Sequence, residues 1–348
     1  NGTAYIAATN FKMDDERPYL FKTANYGQSW EKIVNGMPEN DFVRVIREDI
    51  TVSGLLYTGT QSNGVYVSFD DGGSWQSLRN DMPPIPIHDL KVKDDDLVAA
   101  TFGRGFWILD DLTPLRQLTK EVIEKRSHLF SPRPTYRIPP ERGFSQASTP
   151  GVVNYFRSGA VAFYEKEMPD GRRKHVWLDA GQNPPDGVIV SYYLNEKPEG
   201  EVTLEVMDAS GDIIQSFSSD AGEGRPKIST NAGMNRFIWN IRYPSAYSIG
   251  DGARGQSGPL APPGGYQVRL TVGGNEQTEG FEVVKDPRVS ATDDDFKAQF
   301  DFLIKVRDRL SETNDSVSKI RMISNQVDEW VNRAKGHPEA DVVKNAAE

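Results

Sequence analysis

Cysteine is absent from the 348 residues, which removes disulfides, thiolate metal sites and cysteine nucleophiles together. Histidine is scarce: His88, His128, His175 and His337 are the four present, and no two stand at a His-x-x-x-His or His-x-His metal spacing. A Gly-x-Ser-x-Gly elbow, a phosphate loop and a dinucleotide fingerprint are all missing. Gly103-Arg104-Gly105 is too short for either glycine-rich motif and reads as a tight turn. No apolar run approaches the roughly 18 residues of a membrane helix. Positive charge is in deficit, with 40 Lys and Arg against 50 Asp and Glu and a formal net charge of −10. That balance excludes a general nucleic-acid binder and gives no polybasic membrane attachment. The expectation is no cofactor, no bound metal, no nucleic acid and no membrane span.

What is present is turn-forming chemistry between short apolar runs. Gly contributes 31 residues and Pro 22, which suits many short strands. Two segments repeat. Thr23-Ala24-Asn25-Tyr26-Gly27-Gln28-Ser29-Trp30 aligns with Ser68-Phe69-Asp70-Asp71-Gly72-Gly73-Ser74-Trp75, and the two tryptophans are 45 residues apart. That separation is about one four-stranded propeller blade. Each segment lies between alternating runs, so it reads as a hairpin turn. Glycine supplies positive φ, the Asp or Asn bonds nearby backbone N–H groups, and the Trp plugs the space between sheets. A third unit runs from Leu97-Val98-Ala99-Ala100-Thr101 to Gly105-Phe106-Trp107-Ile108, ending at Asp110-Asp111-Leu112-Thr113-Pro114. Pro114 stops strand pairing there.

The repeated [S/T]-x-[D/N]-x-G-x-S-W resembles the Asp-box (BNR) repeat of sialidases, xyloglucan-type glycosidases and sortilin-type receptors. The string from Leu55-Leu56-Tyr57-Thr58-Gly59-Thr60 through Trp107-Ile108-Leu109-Asp110-Asp111 is similar to large secreted bacterial BNR-repeat proteins, glycosyl hydrolase-like or sortilin-like. The resemblance implies an architectural role for the motif, carried by Thr23, Asn25, Gly27, Trp30, Ser68, Asp70, Gly72 and Trp75. It also implies an extracytoplasmic, bacterial location.

The rest of the chain divides by pattern. Residues 116–186 read as a connector and an insertion, with the one dense basic cluster at Arg172-Arg173-Lys174-His175. Alternating runs at residues 187–194, 201–207, 213–217, 235–240, 266–272 and 280–284 predict an immunoglobulin-like β-sandwich over 187–286, with Trp239 in its core. Asp208-Ala209-Ser210-Gly211-Asp212 is a hairpin turn and residues 247–262 a Gly/Ser/Pro-rich loop. Residues 290–336 predict a helical segment. Ser290 or Thr292 is its N-cap, Asp293-Asp294-Asp295 favour its dipole, and an apolar stripe runs from Phe296 to Trp330. The predicted fold is mainly β: a partial Asp-box propeller of two to three blades over 1–115, a sandwich, and a C-terminal helix. Because a closed propeller needs at least four blades, the chain is expected to be the C-terminal part of a longer protein. Its expected partners are the remaining blades, from a preceding segment or another polypeptide, and a carbohydrate or protein ligand.

Glycoside hydrolysis needs two carboxylates roughly 5–10 Å apart. Asp70, Asp71, Asp94, Asp95, Asp96, Asp110 and Asp111 are candidates without a distinguishing pattern. Arg44, Arg47, Arg104 and Tyr66 belong to no local motif that would assign them to a sialidase-type site. No catalytic residue is therefore assigned. Three readings stand: a non-catalytic binding part of an Asp-box propeller protein, a glycosidase fragment whose carboxylates lie in other blades, and a sortilin-like receptor or structural subunit.

Overall fold

Strands of alternating or doubly apolar pattern build the N-terminal third. In the computed structural model, residues 2–138, 153–155, 162–167, 173–177, 181, 184–222, 225–249 and 257–347 are described. Strands account for 37% of residues and helices for 21%, so the protein is mainly β. The first sheet holds β1 (Ala4–Asn10), β2 (Asp15–Thr23) and β3 (Glu31–Lys32). The second holds β4 (Val43–Glu48), β5 (Leu56–Thr60), β6 (Val65–Ser68) and β7 (Gln76–Ser77). The third holds β8 (Ile87–Lys93), β9 (Asp96–Thr101) and β10 (Phe106–Leu109). Each is an antiparallel meander with neighbouring strands paired in chain order.

The second sheet is buried on both faces, which explains its nearly continuous apolar strands. Val43, Ile46, Leu56 and Tyr66 join Leu20, Ile33 and Trp75 in one core. Val45, Tyr57, Val65 and Val67 join Ile87, Leu90, Leu97 and Ala99 in another. Successive residues point to opposite faces of a strand, so Leu56 and Tyr57 serve different cores. Gly59 is required by this stacking: a Cβ there would stand 2.5 Å from Ile87 Cγ2.

Beyond β10 come α1 (Thr113–Gln117), α2 (Lys120–Glu124), β11 (Ser127–Leu129) and β12 (Thr135–Arg137). β13 (Val153–Tyr155), β14 (Ala162–Glu167) and β15 (Arg173–Trp177) form a separate antiparallel sheet. Arg172 and the side chains of the basic cluster that it opens lie outside the described residues. Then follow β16 (Val188–Leu194), β17 (Val202–Asp208), β18 (Ile213–Ser218), β19 (Gly233–Trp239), β20 (Gly264–Val272) and β21 (Asn275–Lys285). They form two sheets, in the orders β11-β16-β19 and β12-β21-β20-β17-β18.

Both sheets supply a single core containing Val190, Leu204, Phe237, Val268 and Val283. Trp239, 1% exposed, sits within it against Tyr266 and Phe281. β11 and β12 come from the segment read as connector, yet each extends one of these sheets; β12 pairs in parallel with β21. Three-residue strands interrupted by Ser131-Pro132-Arg133-Pro134 are too short to show an alternation.

The long helix α3 (Asp293–Ala334) starts at a capping box, in which the Thr292 side chain accepts from Asp295 N and the Asp295 side chain from Thr292 N. α4 (Ala340–Ala347) packs back on it. Only the start of the apolar stripe on α3, at Phe296 and Phe300, meets the rest of the protein. Phe296 is buried, Tyr243 packs on Phe300, and the Tyr247 backbone is gripped by Ser311 Oγ, which accepts from its N, and Asn314 Nδ2, which donates to its O. Phe302, Val306, Ile320, Ile323 and Trp330 remain exposed. No described helix is long and apolar enough to cross a membrane.

Candidate functional site

The two repeated segments form turns after β2 and β6 that share one hydrogen-bond plan. In the first, Thr23 Oγ1 donates to Asn25 Oδ1 at 3.0 Å, and Gly27 N donates to Thr23 Oγ1 at 3.0 Å. Ser29 N donates to Asn25 Oδ1 at 2.9 Å, and Asn25 Nδ2 to Ser29 Oγ at 2.9 Å. In the second, Ser68 Oγ donates to Asp70 Oδ1 at 2.8 Å, and Gly72 N donates to Ser68 Oγ at 2.9 Å. Ser74 N donates to Asp70 Oδ1 at 2.8 Å, and Ser74 Oγ to Asp70 Oδ2 at 2.7 Å. Only the last bond changes direction, because an amide donates where a carboxylate accepts.

A further equivalence escapes the sequence. Tyr26 and Asp71, each just before the motif glycine, take φ of 60° and 59°. Their backbone N–H groups donate to Gly2 O and Gly54 O. Both positions therefore hold a left-handed residue beside the left-handed glycine. Asp tolerates that region better than Tyr, and nothing in the spacing marks the position.

Placement separates the turns. The second lies against the first sheet, where a Cβ on Gly72 would stand 2.6 Å from Ile33 Cδ1. Trp75 is 3% exposed, and its indole N–H donates to Ile33 O at 2.9 Å. Asp71 accepts from Tyr5 Oη at 2.5 Å and is ion-paired to Lys22. Burial first, then Asp71, raises the Tyr5 phenol pKa. Trp30 occupies the equivalent place but is 41% exposed, not a plug between sheets. The first sheet packs on the second through Leu20 and Ile33, in a core that contains Trp75 but not Trp30.

The carboxylate candidates gather at the same end of the sheets, and two of them, Asp95 and Asp96, are engaged by arginines, as is the buried Asp49. Asp49, whose side chain is fully buried, takes Arg116 Nε at 3.1 Å on both oxygens. Arg116 also reaches Asp95 Oδ1 at 2.5 Å and Asp94 O at 2.8 Å. Asp96 Oδ1 accepts from Asp111 N at 3.0 Å and Arg133 Nη1 at 3.1 Å. Asp110 is half-buried beside this group; burial first, then the Asp96 charge, raises its pKa. The arrangement ties α1 and the segment after α2 to the second and third sheets. Among the described residues no group of His, Asp and Glu is poised to hold a metal ion.

Of the other candidates, Tyr66 is buried in the first core, and Arg47 is paired with Asp89. Arg104 is exposed in the β9–β10 turn. His128 packs edge-on against Phe130, and burial lowers its pKa. His337 is exposed past the end of α3, and the His175 side chain lies outside the described residues. Between the second and third sheets, beside Val65, Leu97 and Trp107, lies a cavity of about 50 Å³. Ligand pockets run to several hundred Å³, so this one has room for water, not a sugar ring.

No family model and no curated protein matches the chain. Among solved structures it aligns with PorZ, a bacterial surface component of the type-IX secretion system of Porphyromonas gingivalis. The identity is 13% and the TM-score 0.25, over 82% of this chain and 29% of that one. It aligns also with the extracellular domain of a hybrid two-component system from B. thetaiotaomicron, at 9% identity and a TM-score of 0.24, over 82% of this chain and 31% of that one. The chain spans about a third of either protein's length, and an alignment at that score assigns neither fold nor activity.

Proposed function

We propose that this chain is the C-terminal, non-catalytic part of an extracytoplasmic bacterial Asp-box propeller protein that binds carbohydrate or protein. The observation that carries the reading is the repetition of one turn. The same four hydrogen-bonded contacts recur at Thr23–Ser29 and Ser68–Ser74, on consecutive sheets that stack on one another. In this reading residues 1–115 are two to three blades, 187–286 an immunoglobulin-like sandwich, and 116–186 the link between them. Further blades, from a preceding segment or another polypeptide, cover Ile6 and Trp30 on one side and Phe106 and Ile108 on the other. These four residues are 44%, 41%, 75% and 57% exposed. The arginine clasps on Asp49, Asp95 and Asp96 support the non-catalytic part of the reading, since an engaged carboxylate is poorly placed to move protons.

The test uses the protein with its further blades, on a glycan array, in a protein-partner capture and against a chromogenic glycoside panel. Retention of a glycan or a stable protein partner without turnover is expected. Glycoside turnover that is lost on mutating a carboxylate pair overturns the reading in favour of a glycosidase.

A further inference from the structure

At the end of the sheets opposite the repeated turns, two side chains stand on equivalent irregularities. Val43 pairs with Thr60 and Val45 with Gly59, so Arg44 is the extra residue of a β-bulge in β4. Ile87 pairs with Thr101 and Asp89 with Ala100, so His88 is the extra residue of a bulge in β8. The same backbone contact closes each unit: Gln61 N donates to Phe42 O at 2.9 Å, and Phe102 N to Pro86 O at 3.0 Å. In both cases the accepting carbonyl is two residues before the bulge. A bulge turns its extra residue out of the regular pleat and re-aims the side chain. β4 and β8 pack against each other, so the repeat presents Arg44 and His88 at matching places on neighbouring strands.

Arg44 is held but not neutralised. Its Nε donates to Gln61 Oε1 at 2.7 Å, and its guanidinium carbon lies 5.1 Å from the Phe42 ring centroid. Phe42 is 5% exposed and stacks on Phe11 at 5.0 Å, so the guanidinium plane is fixed from its edge and its face. Asp41, the acid nearest in sequence, is occupied by Ser62 N, Asn63 N and Asn63 Nδ2 at 2.7–3.1 Å. Among the described residues the terminal nitrogens of Arg44 have neither a hydrogen bond nor an ion pair, whereas Arg47, Arg116 and Arg133 each hold a carboxylate. His88 is exposed and lies 5.1 Å from Phe102, ring to ring at 14°; Phe102 is 68% exposed.

We propose that Arg44 and His88 form a recognition site for a carboxylate-bearing sugar, a hexuronate within a glycan. The free end of the guanidinium offers the two parallel donors that a carboxylate takes. The imidazole offers a polar contact for a hydroxyl, and the exposed Phe102 ring an apolar surface for the C–H face of a sugar. The inference rests on the proposed reading of the protein as a binder and names the chemistry of its ligand.

Titration calorimetry with a galacturonate trimer and its neutral galactose counterpart tests it on the full chain. Binding of the uronate trimer but not the neutral one is expected. Arg44→Gln should weaken that binding at least tenfold, and His88→Ala should weaken it measurably. Arg44→Lys, which keeps the charge but loses the planar fork, should fall between, and covers the case in which Arg44→Gln does not fold. Arg47→Gln, on the same strand and already paired, should bind as the unaltered protein does. Equal binding of the neutral trimer, or uronate binding indifferent to Arg44→Gln, overturns the site and leaves the binding function of the protein standing. Uptake of neither sugar overturns the site as well; the binding function is then judged by the glycan array and the partner capture.

Discussion

Two tryptophans in equivalent turns do different work. Trp75 fills the space between the first and second sheets and donates to Ile33 O, while Trp30 stays 41% exposed. Trp75→Ala should therefore cost about 3–5 kcal/mol, the range for deleting a large buried aromatic. Trp30→Ala should cost under about 1 kcal/mol; urea denaturation of both variants checks the contrast. Asp70 makes a prediction in pH. Burial opposes its ionisation, but hydrogen bonds from Ser74 and Ser68 outweigh it and lower the pKa. A depressed carboxylate stabilises the fold fully above its unfolded pKa of ~3.9. That contribution fades as pH falls through the lower folded value. Asp70→Ala should lose about 1–2 kcal/mol at pH 7 and less once the pH is below both values, where a neutral side chain can still hold the turn as Asn25 does, read from melting curves across that window. At this scale the motif residues were legible because turn geometry restricts their types. The left-handed Tyr26 and the reach of Asp71 to Tyr5 and Lys22 were not, since neither follows from spacing.

Elements were legible where a period had room to repeat. The six alternating runs after residue 187 all become strands, and the helix begins at Thr292, where a side-chain cap and three acids coincide. β11 and β12 were missed because three residues carry no period. The stripe on α3 was visible, but its partner was not: periodicity identifies an apolar face without saying what meets it. The stripe is met only at its start, through Phe296 and Phe300, and the helix is held further along by Ser311 and Asn314 on the Tyr247 backbone. The double variant Ser311→Ala, Asn314→Ala, which removes both bonds to the Tyr247 backbone, should accordingly speed amide exchange in the helix around residues 307–318 and leave the core around Trp239 as protected as before. Ile320→Ser, at a position 66% exposed, should shift stability by no more than about 0.5 kcal/mol. Hydrogen exchange with thermal melts measures both. A large loss on Ile320→Ser would mean that the stripe is covered in solution.

On the scale of the molecule, the cores of the N-terminal sheets and of the two C-terminal sheets share no residues. What joins them is largely polar. Gln117 of α1 bonds Ser131 at both its backbone N and O, and on the C-terminal side Ser131 Oγ donates to Glu279 while Gln277 accepts from Leu129 N. Arg133 adds the tie to Asp96. Arg116, in α1 between the halves, is the member of this junction with the deepest anchor, because its partner Asp49 has no exposed side-chain surface. Removing one member of a buried ion pair leaves the other charged and desolvated, at about 3–5 kcal/mol. Arg116→Met keeps much of the side-chain volume but strands Asp49, so its cost should fall on the N-terminal half. Calorimetry is expected to resolve two unfolding transitions in the unaltered chain, one for each half, because polar ties of this kind couple less strongly than a continuous core. Arg116→Met should lower the transition of the N-terminal half by several degrees and leave the other within about a degree. A single transition that moves as a whole would show that the junction makes the two halves one cooperative unit.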